Sequence, residues 1–295
     1  MLSALASWDK EFYSAWRNGN RLAMVWRIGV YLALIVGGLL FMLPALWMIS
    51  TAFKTLAEAN SFPPVWIPTT IEWSNFTQPF QDLPFAQFYR NTLFLTLSNL
   101  VGVLLSCTPV AYAFARLNFR GRDTLFIMVL ATMMLPDQST LIPVYVLFAK
   151  LHWINTFLPL IVPRYFATDA FIIFLMRQFF KTIPRDLDDA CKIDGGGPIT
   201  SLLRIIIPLS LPVFGVVLIL VFVGEWNSFF WPLVYLSTME HYTISLGLRL
   251  FQTRYFVQMN VLMAMSLLAS LPTVILFFIT QRQFLKGIVL TGVNR

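Results

Sequence analysis

IGVYLALIVGGLLFMLPALWMISTAF, residues 28–53, runs for 26 residues without a charged side chain. A helix rises 1.5 Å per residue, so about 20 apolar residues cross a hydrocarbon core ~30 Å thick. In lipid the backbone must satisfy its own hydrogen bonds, which a helix does and an open strand does not. Five further runs read the same way, at about 91–115, 124–148, 158–180, 208–236 and 259–281. The alternation over ~10-residue segments that a membrane barrel needs is not visible. The reading is therefore an all-α, polytopic membrane protein with six transmembrane helices.

Composition agrees. The 295 residues are 58% hydrophobic and 12% charged, against roughly 45–50% and about 25% in soluble domains. With a mean hydropathy of +0.72, 28 Phe and 9 Trp, the chain holds more apolar surface than one aqueous core can hide. The formal net charge of +7 would suit nucleic acid in a soluble protein, but here the charges lie between the apolar runs, and no nucleic-acid partner is expected. Cys107, Cys191, His152 and His241 show no metal-ligand or disulfide spacing, so no metal is expected. The first twenty residues carry Asp9, Lys10, Glu11 and Arg17 and do not read as a cleavable leader, so a retained span is expected to drive insertion.

With the N-terminus inside, fifteen of the 21 Lys and Arg fall on the inner side and six on the outer, which places both termini in the cytoplasm. The organisation is then a cytoplasmic segment 1–27, a membrane domain 28–281 and a cytoplasmic tail 282–295. Within it, 54–90 carries Pro63, Pro64, Pro68, Pro79 and Pro84 and reads as an extended outer loop with little helix. The segment 181–207 is a polar cytoplasmic loop.

No nucleotide-binding or hydrolytic motif is present, which argues against an enzyme. The informative stretch is DLDDACKIDGGGPITSLLRIIIPLSLP, residues 186–212. Leu187, Ala190, Cys191 and Ile193 recur at helical spacing, with acids in the first turn after Pro184; Gly195, Gly196, Gly197 and Pro198 stop that helix, and a second begins near Ile199. Helix, glycine turn, helix is either a solvated connection or, because its apolar stripe has no obvious cover, a docking surface for another subunit.

This stretch resembles the EAA loop of bacterial ABC-importer permeases, whose pattern is E-A-A, three residues, G, nine residues, I-x-L-P. Asp189, Ala190 and Cys191 stand in the E-A-A place, Gly195 follows after three residues, and Ile205 to Pro208 close the motif. Asp replaces Glu, Cys the second Ala, and Ile the Leu. AYAFARLNFRGRD (111–123), EWNSFFWPLVYL (225–236) and the tail QRQFLKGIVLTGVNR (281–295) are similar to the maltose-type carbohydrate permeases, although Arg120 stands where these usually have Pro. The resemblance implies an inner-membrane subunit that pairs with a second homologous permease, sits on two ATPase subunits and receives a saccharide from an extracytoplasmic solute-binding protein. ATP and Mg would be used by the partners, with no cofactor bound by this chain. It implies further that Asp188, Asp189, Ala190, Cys191, Asp194, Gly195 and Pro208 form the ATPase-coupling region. By the same resemblance the tail is expected to reach between the ATPase subunits, and 237–258 to touch the binding protein.

Ionisable residues at membrane depth are costly and normally face a cavity or a partner. Asp137, Asp169 and Glu225 qualify. Asp137 and Gln138 follow Pro136 in LPDQSTLIP, while Glu225, Trp226, Asn227 and Ser228 form a polar-aromatic cluster apt for a sugar. Both groups are expected to face a shared cavity on the solute path; alternatively Glu225 and Asn227 bond a partner subunit or an adjacent helix. Asp169 either pairs with Arg164 or sits at the interface. The competing functions are an importer permease for a glycerophosphate, polyol or amino acid, and an ion-coupled secondary transporter, against which the lack of an internal repeat counts.

Overall fold

The computed structural model describes residues 21–253 and 258–292, with side chains for 25–136, 138–251 and 258–281. The N-terminal segment 1–20, the end of the tail, residues 254–257 of the 237–258 loop and the Asp137 side chain lie outside the described residues. Every described element is helical. They are α1 (Arg21–Ala52), α2 (Leu56–Ala59), α3 (Ser74–Asp82), α4 (Phe85–Arg116), α5 (Arg122–Thr132) and α6 (Asp137–Lys150). Next come α7 (Leu158–Ile161), which runs into a 3-10 turn (Val162–Phe166), α8 (Ala170–Thr182) and α9 (Asp186–Ile193). The last are α10 (Pro198–Leu209), α11 (Leu211–Trp226), α12 (Phe230–Tyr235), α13 (Ile244–Thr253) and α14 (Met259–Gly292).

Among the described residues four helical stretches are long and apolar enough to cross a membrane: Val25–Ala52, Phe85–Arg116, Leu158–Thr182 and Met259–Gln281. A fifth crossing results if α10 and α11, which meet at 77°, count as one broken span. This corrects two expectations. The run 124–148 is not one helix but two, of 11 and 14 residues. At the break the amides of Met133, Met134 and Leu135 bond three residues back, and Pro136 turns extended, because proline lacks a donor and disfavours helix in the residue before it. The run 208–236 begins earlier, at Pro198, and its helix ends at Trp226. The sharp bend at Ser210 lies between Pro208 and Pro212, where the Pro212 ring cannot pack against the carbonyl four residues back. The 54–90 segment also holds more helix than its prolines imply, since Pro79 lies inside α3 and Pro84 precedes α4.

The chain divides into two compact units, residues 1–77 with 258–268, and residues 78–257 with 269–295. In the first, Phe41 is 90% exposed and its α1 neighbours are similarly bare, as suits a helix whose solvent is lipid. Asn75 donates to the Ala52 and Lys54 carbonyls (3.0 and 2.8 Å) and so closes the end of α1. The buried Lys54 ammonium lies 3.9 Å from the centre of the Trp47 ring.

In the second unit α4 is the centre. Val103, Cys107, Ala111 and Ala115 of α4 form one core with Ile172, Ile173, Met176 and Phe180 of α8 and Val213, Val217 and Val221 of α11. The 3-10 turn lies so close to α4 that a Cβ on Gly102 would stand 2.8 Å from the Tyr165 ring and 3.3 Å from the Arg164 backbone. Gly102→Leu is therefore expected to destabilise this unit by about 1–3 kcal/mol. The check is the thermal unfolding midpoint of detergent-purified protein, with Gly29→Leu, where an added Cβ meets nothing within 4 Å, as the unchanged control.

Candidate functional site

Glu225 sits in the last turn of α11. Its carboxylate takes Arg164 Nη2 at 2.5 Å on one oxygen and Asn99 Nδ2 at 2.8 Å on the other. Arg164, in the 3-10 turn, also reaches Asp169 at 3.8 Å, and Asp169 accepts from the Ile172 amide (3.1 Å) at the start of α8. A carboxylate that would be costly alone in lipid is thus matched by one cation and one amide donor. Asp169 takes the Arg164 pairing, one of its two expected roles.

Beside this cluster lies a cavity of about 270 Å³. Its polar lining includes Thr92, Asn99, Arg164, Thr168, Glu225, Ser228 and Thr243, and its aromatic wall is Phe148, Trp231 and Tyr235, the last two stacked at 5.9 Å. Asn99 Oδ1 and Thr243 Oγ1 are buried and have no hydrogen-bond partner within the described residues. Buried polar atoms left unmatched are costly.

The structure separates the four residues of the expected 225–228 cluster. Glu225 and Ser228 line the cavity. Trp226 is buried, stacks on Phe222 and donates its indole N–H to the Ala269 carbonyl at 2.9 Å, which fastens α11 to α14. Asn227 is exposed, and its amide donates to the Val223 carbonyl of its own helix at 2.9 Å. Gln138 is exposed in the first turn of α6 and does not line this cavity. Sequence reading missed Asn99, Thr243, Trp231 and Tyr235. A usable signal was there: 225, 228, 231, 232 and 235 recur at three to four residues, and all five line the cavity although the helix breaks at 227–229.

A second cluster forms at the Arg116 end of α4. Helix α9 begins at Asp186, Gly195 takes φ +79° after it, and α10 starts at Pro198. A Cβ on the next residue, Gly196, would stand 2.5 Å from Cys191 Sγ and 2.9 Å from the Cys191 carbonyl oxygen. The turn therefore needs glycine twice, for conformation at 195 and for space at 196. Cys191 is buried under it, whereas Asp189, Ala190, Asp194 and Pro208 are exposed. Asp189 pairs with Lys192 at 2.9 Å, which raises the Lys192 ammonium above its ordinary range. Ile193, Ile199 and Leu203 present an exposed apolar face.

Asp188 points the other way. It pairs with Arg116 at 3.2 Å and accepts from the Ser201 hydroxyl. Arg116 also donates to the Ile183 carbonyl at 2.6 Å. Nearby, Arg177 of α8 donates to the Phe114 carbonyl at 3.2 Å, lies over the Phe126 ring at 3.8 Å and comes within 3.8 Å of Asp123. Sequence reading did not single out either arginine.

Known proteins of similar sequence and shape bear on both clusters. The arabinooligosaccharides transport system permease protein AraQ of Bacillus subtilis is 30% identical over 277 residues, 92% of this chain and 96% of its own. Its namesake in Halalkalibacterium halodurans is 32% identical over 254 residues, covering 85% and 90% of the two chains. The lactose transport system permease protein LacG of Rhizobium radiobacter is 27% identical, covering 88% and 93%. In shape the chain is similar to one in the crystal structure of a bacterial ABC transporter that imports the acidic polysaccharide alginate. The TM-score there is 0.75 at 23% identity, over 86% of this chain and 95% of that one. The profile of the binding-protein-dependent transport system inner membrane component matches residues 85–288, which hold both clusters, and the chain belongs to that family of transport permeases.

Proposed function

We propose that this chain is the transmembrane permease subunit of an ATP-driven importer and forms part of the path of a saccharide delivered by an extracytoplasmic binding protein. The observation that carries the saccharide is the cavity beside Glu225. Its polar lining, which includes Thr168 and Ser228, suits sugar hydroxyls, its stacked Trp231 and Tyr235 suit the apolar face of a sugar ring, and its lining cation Arg164 is already matched by Glu225. Curated relatives named for arabinooligosaccharides and lactose agree with that chemistry. In this reading α5 and α6 together make the third of six crossings, as a broken helix, and both termini are cytoplasmic. The α9–α10 loop then docks on an ATPase subunit through Asp189, Ala190, Asp194, Gly195 and the exposed apolar face, with Asp188 and Cys191 supporting it from behind and Pro208 at the far end of α10. A second permease and two ATPase subunits complete the assembly, and the ATP and Mg belong to the latter.

Topology is tested by reporter fusions. A fusion after Arg122 or Lys192 is expected to report cytoplasm and one within 60–80 the outside, and a reversed result at either inner loop would end the arrangement.

For the path, uptake of maltotriose, arabinotriose, an oligogalacturonate, glycerol 3-phosphate and an amino acid is compared in cells carrying the whole transporter. A saccharide is expected to be taken up, and Ser228→Ala to slow it about tenfold, the worth of one hydrogen bond to a hydroxyl. Uptake of the phosphate ester or amino acid alone would replace the substrate class.

For docking, Gly195→Val forces a β-branched residue to positive φ, a strain of about 1–3 kcal/mol. It is expected to abolish uptake while the protein still inserts. Asp189→Lys reverses the exposed charge and is expected to reduce the ATPase that copurifies with the permease. Normal uptake and copurification in both variants would make the loop a mere connection.

A further inference from the structure

Arg116 is the last residue of α4, and its side chain is only 3% exposed. One guanidinium holds three parts of the loop. It donates to the Ile183 carbonyl in the linker before α9, it pairs with Asp188 within α9, and through Asp188 it engages Ser201 of α10. The neighbouring acids are thus divided: Asp189 faces outward with Lys192, and Asp188 faces inward to α4. Further along, α10 bends into α11, which carries Glu225, and Glu225 is held by Asn99, again on α4. Residues 183–225 are therefore bonded to α4 by the guanidinium at its end and by the amide of Asn99, the path between them running through α9, the glycine turn, α10, the bend at Ser210 and α11, which also packs on α4 through Val213, Val217 and Val221. The turn within that path has little slack, since Gly196 already lies against Cys191.

We propose that Arg116 is a positioning residue that transmits the position of the α9 loop to α4 and, through the second fastening, to the Glu225 cavity. This rests on the reading of the loop as the ATPase dock. A force applied to α9 has a rigid lever in Arg116, because a planar fork held by a carbonyl and a carboxylate fixes direction as well as distance. A contiguous hydrogen-bond and ion-pair network of this kind can carry coupling between distant sites, and the direct measure of it is non-additivity between its members.

The test uses the complete transporter in proteoliposomes and reads the factor by which the binding protein stimulates ATP hydrolysis, which does not depend on knowing the solute. Arg116→Lys keeps the charge opposite Asp188 but loses the fork. Ser201→Ala leaves the Arg116–Asp188 pair and cuts only the link to α10. Stimulation is expected to fall about fivefold in Arg116→Lys and about twofold in Ser201→Ala. The double variant should be no worse than Arg116→Lys, and the amount of copurified ATPase should be unchanged in all three. Full stimulation in Arg116→Lys, additive losses in the double variant, or loss of the assembled complex in both singles overturns the proposal, the last by showing that the network only holds the fold. Asp189→Lys separates the underlying reading: if that variant keeps its ATPase and its uptake, the dock itself is wrong, whatever the arginine does.

Discussion

Everything irregular in the larger unit depends on one constraint: a chain in lipid has no water to satisfy backbone groups that leave the helical ladder. The side chains of α4 meet that need along its length. Near its start Asn91 donates to the Glu240 and Tyr242 carbonyls (2.8 and 3.0 Å), and the Thr92 hydroxyl accepts from the Ile244 amide at 2.9 Å, which together hold the passage from the 3-10 turn at Met239–His241 into α13. In the middle Asn99 holds Glu225, and at the end Arg116 takes the Ile183 carbonyl where α8 has stopped. Apolar residues between these positions pack on α8 and α11. One helix thus serves as core and as hydrogen-bond partner to the breaks around it.

The charges follow the same logic at two sites. Arg164 stands between the carboxylates of Glu225 and Asp169, and Arg177 between Asp123, the Phe114 carbonyl and the Phe126 ring. Pairing a buried ion recovers only part of what desolvation costs, so such pairs are poor sources of stability. They do specify geometry. Arg164 can satisfy Glu225 and Asp169 together only if the 3-10 turn lies flat on α4, and the absence of a side chain at Gly102 lets it do so.

What the sequence showed and what it hid divide along physical lines. Apolar runs near 28–53, 91–115 and 259–281 are legible because a lipid-spanning helix needs only length and hydropathy. The loop at 186–198 is legible because Asp, Gly and Pro act locally, on their own φ, donors and caps. The break at 133–136 was not, since a single proline in an apolar run such as Pro44 in α1 or Pro109 in α4 leaves the helix continuous, and only the surroundings decide. The same holds for the site. Glu225 stands out as a charge in an apolar run, but its partners lie far off in the chain, Asn99 by 126 residues. No local pattern links them. Trp226 and Asn227 share the composition of a sugar site yet fall on faces turned from the cavity, where one secures α14 and the other caps its own helix.

That difference of one residue in helical phase has a consequence for how the unit can move. Trp226 ties α11 to α14 while Glu225, next to it, ties α11 to α4 and the 3-10 turn. The end of α11 is therefore gripped from two sides, and rotation about its own axis would break one grip or the other. The 77° bend at Ser210 has no comparable side-chain clamp: the Ser210 hydroxyl is buried without a partner within the described residues, and its amide is shared between the Ile206 and Ile207 carbonyls. Of the path from the loop to the cavity, the bend is thus the part least held by side-chain bonds among the described residues, and the end of α11 the part held from two sides.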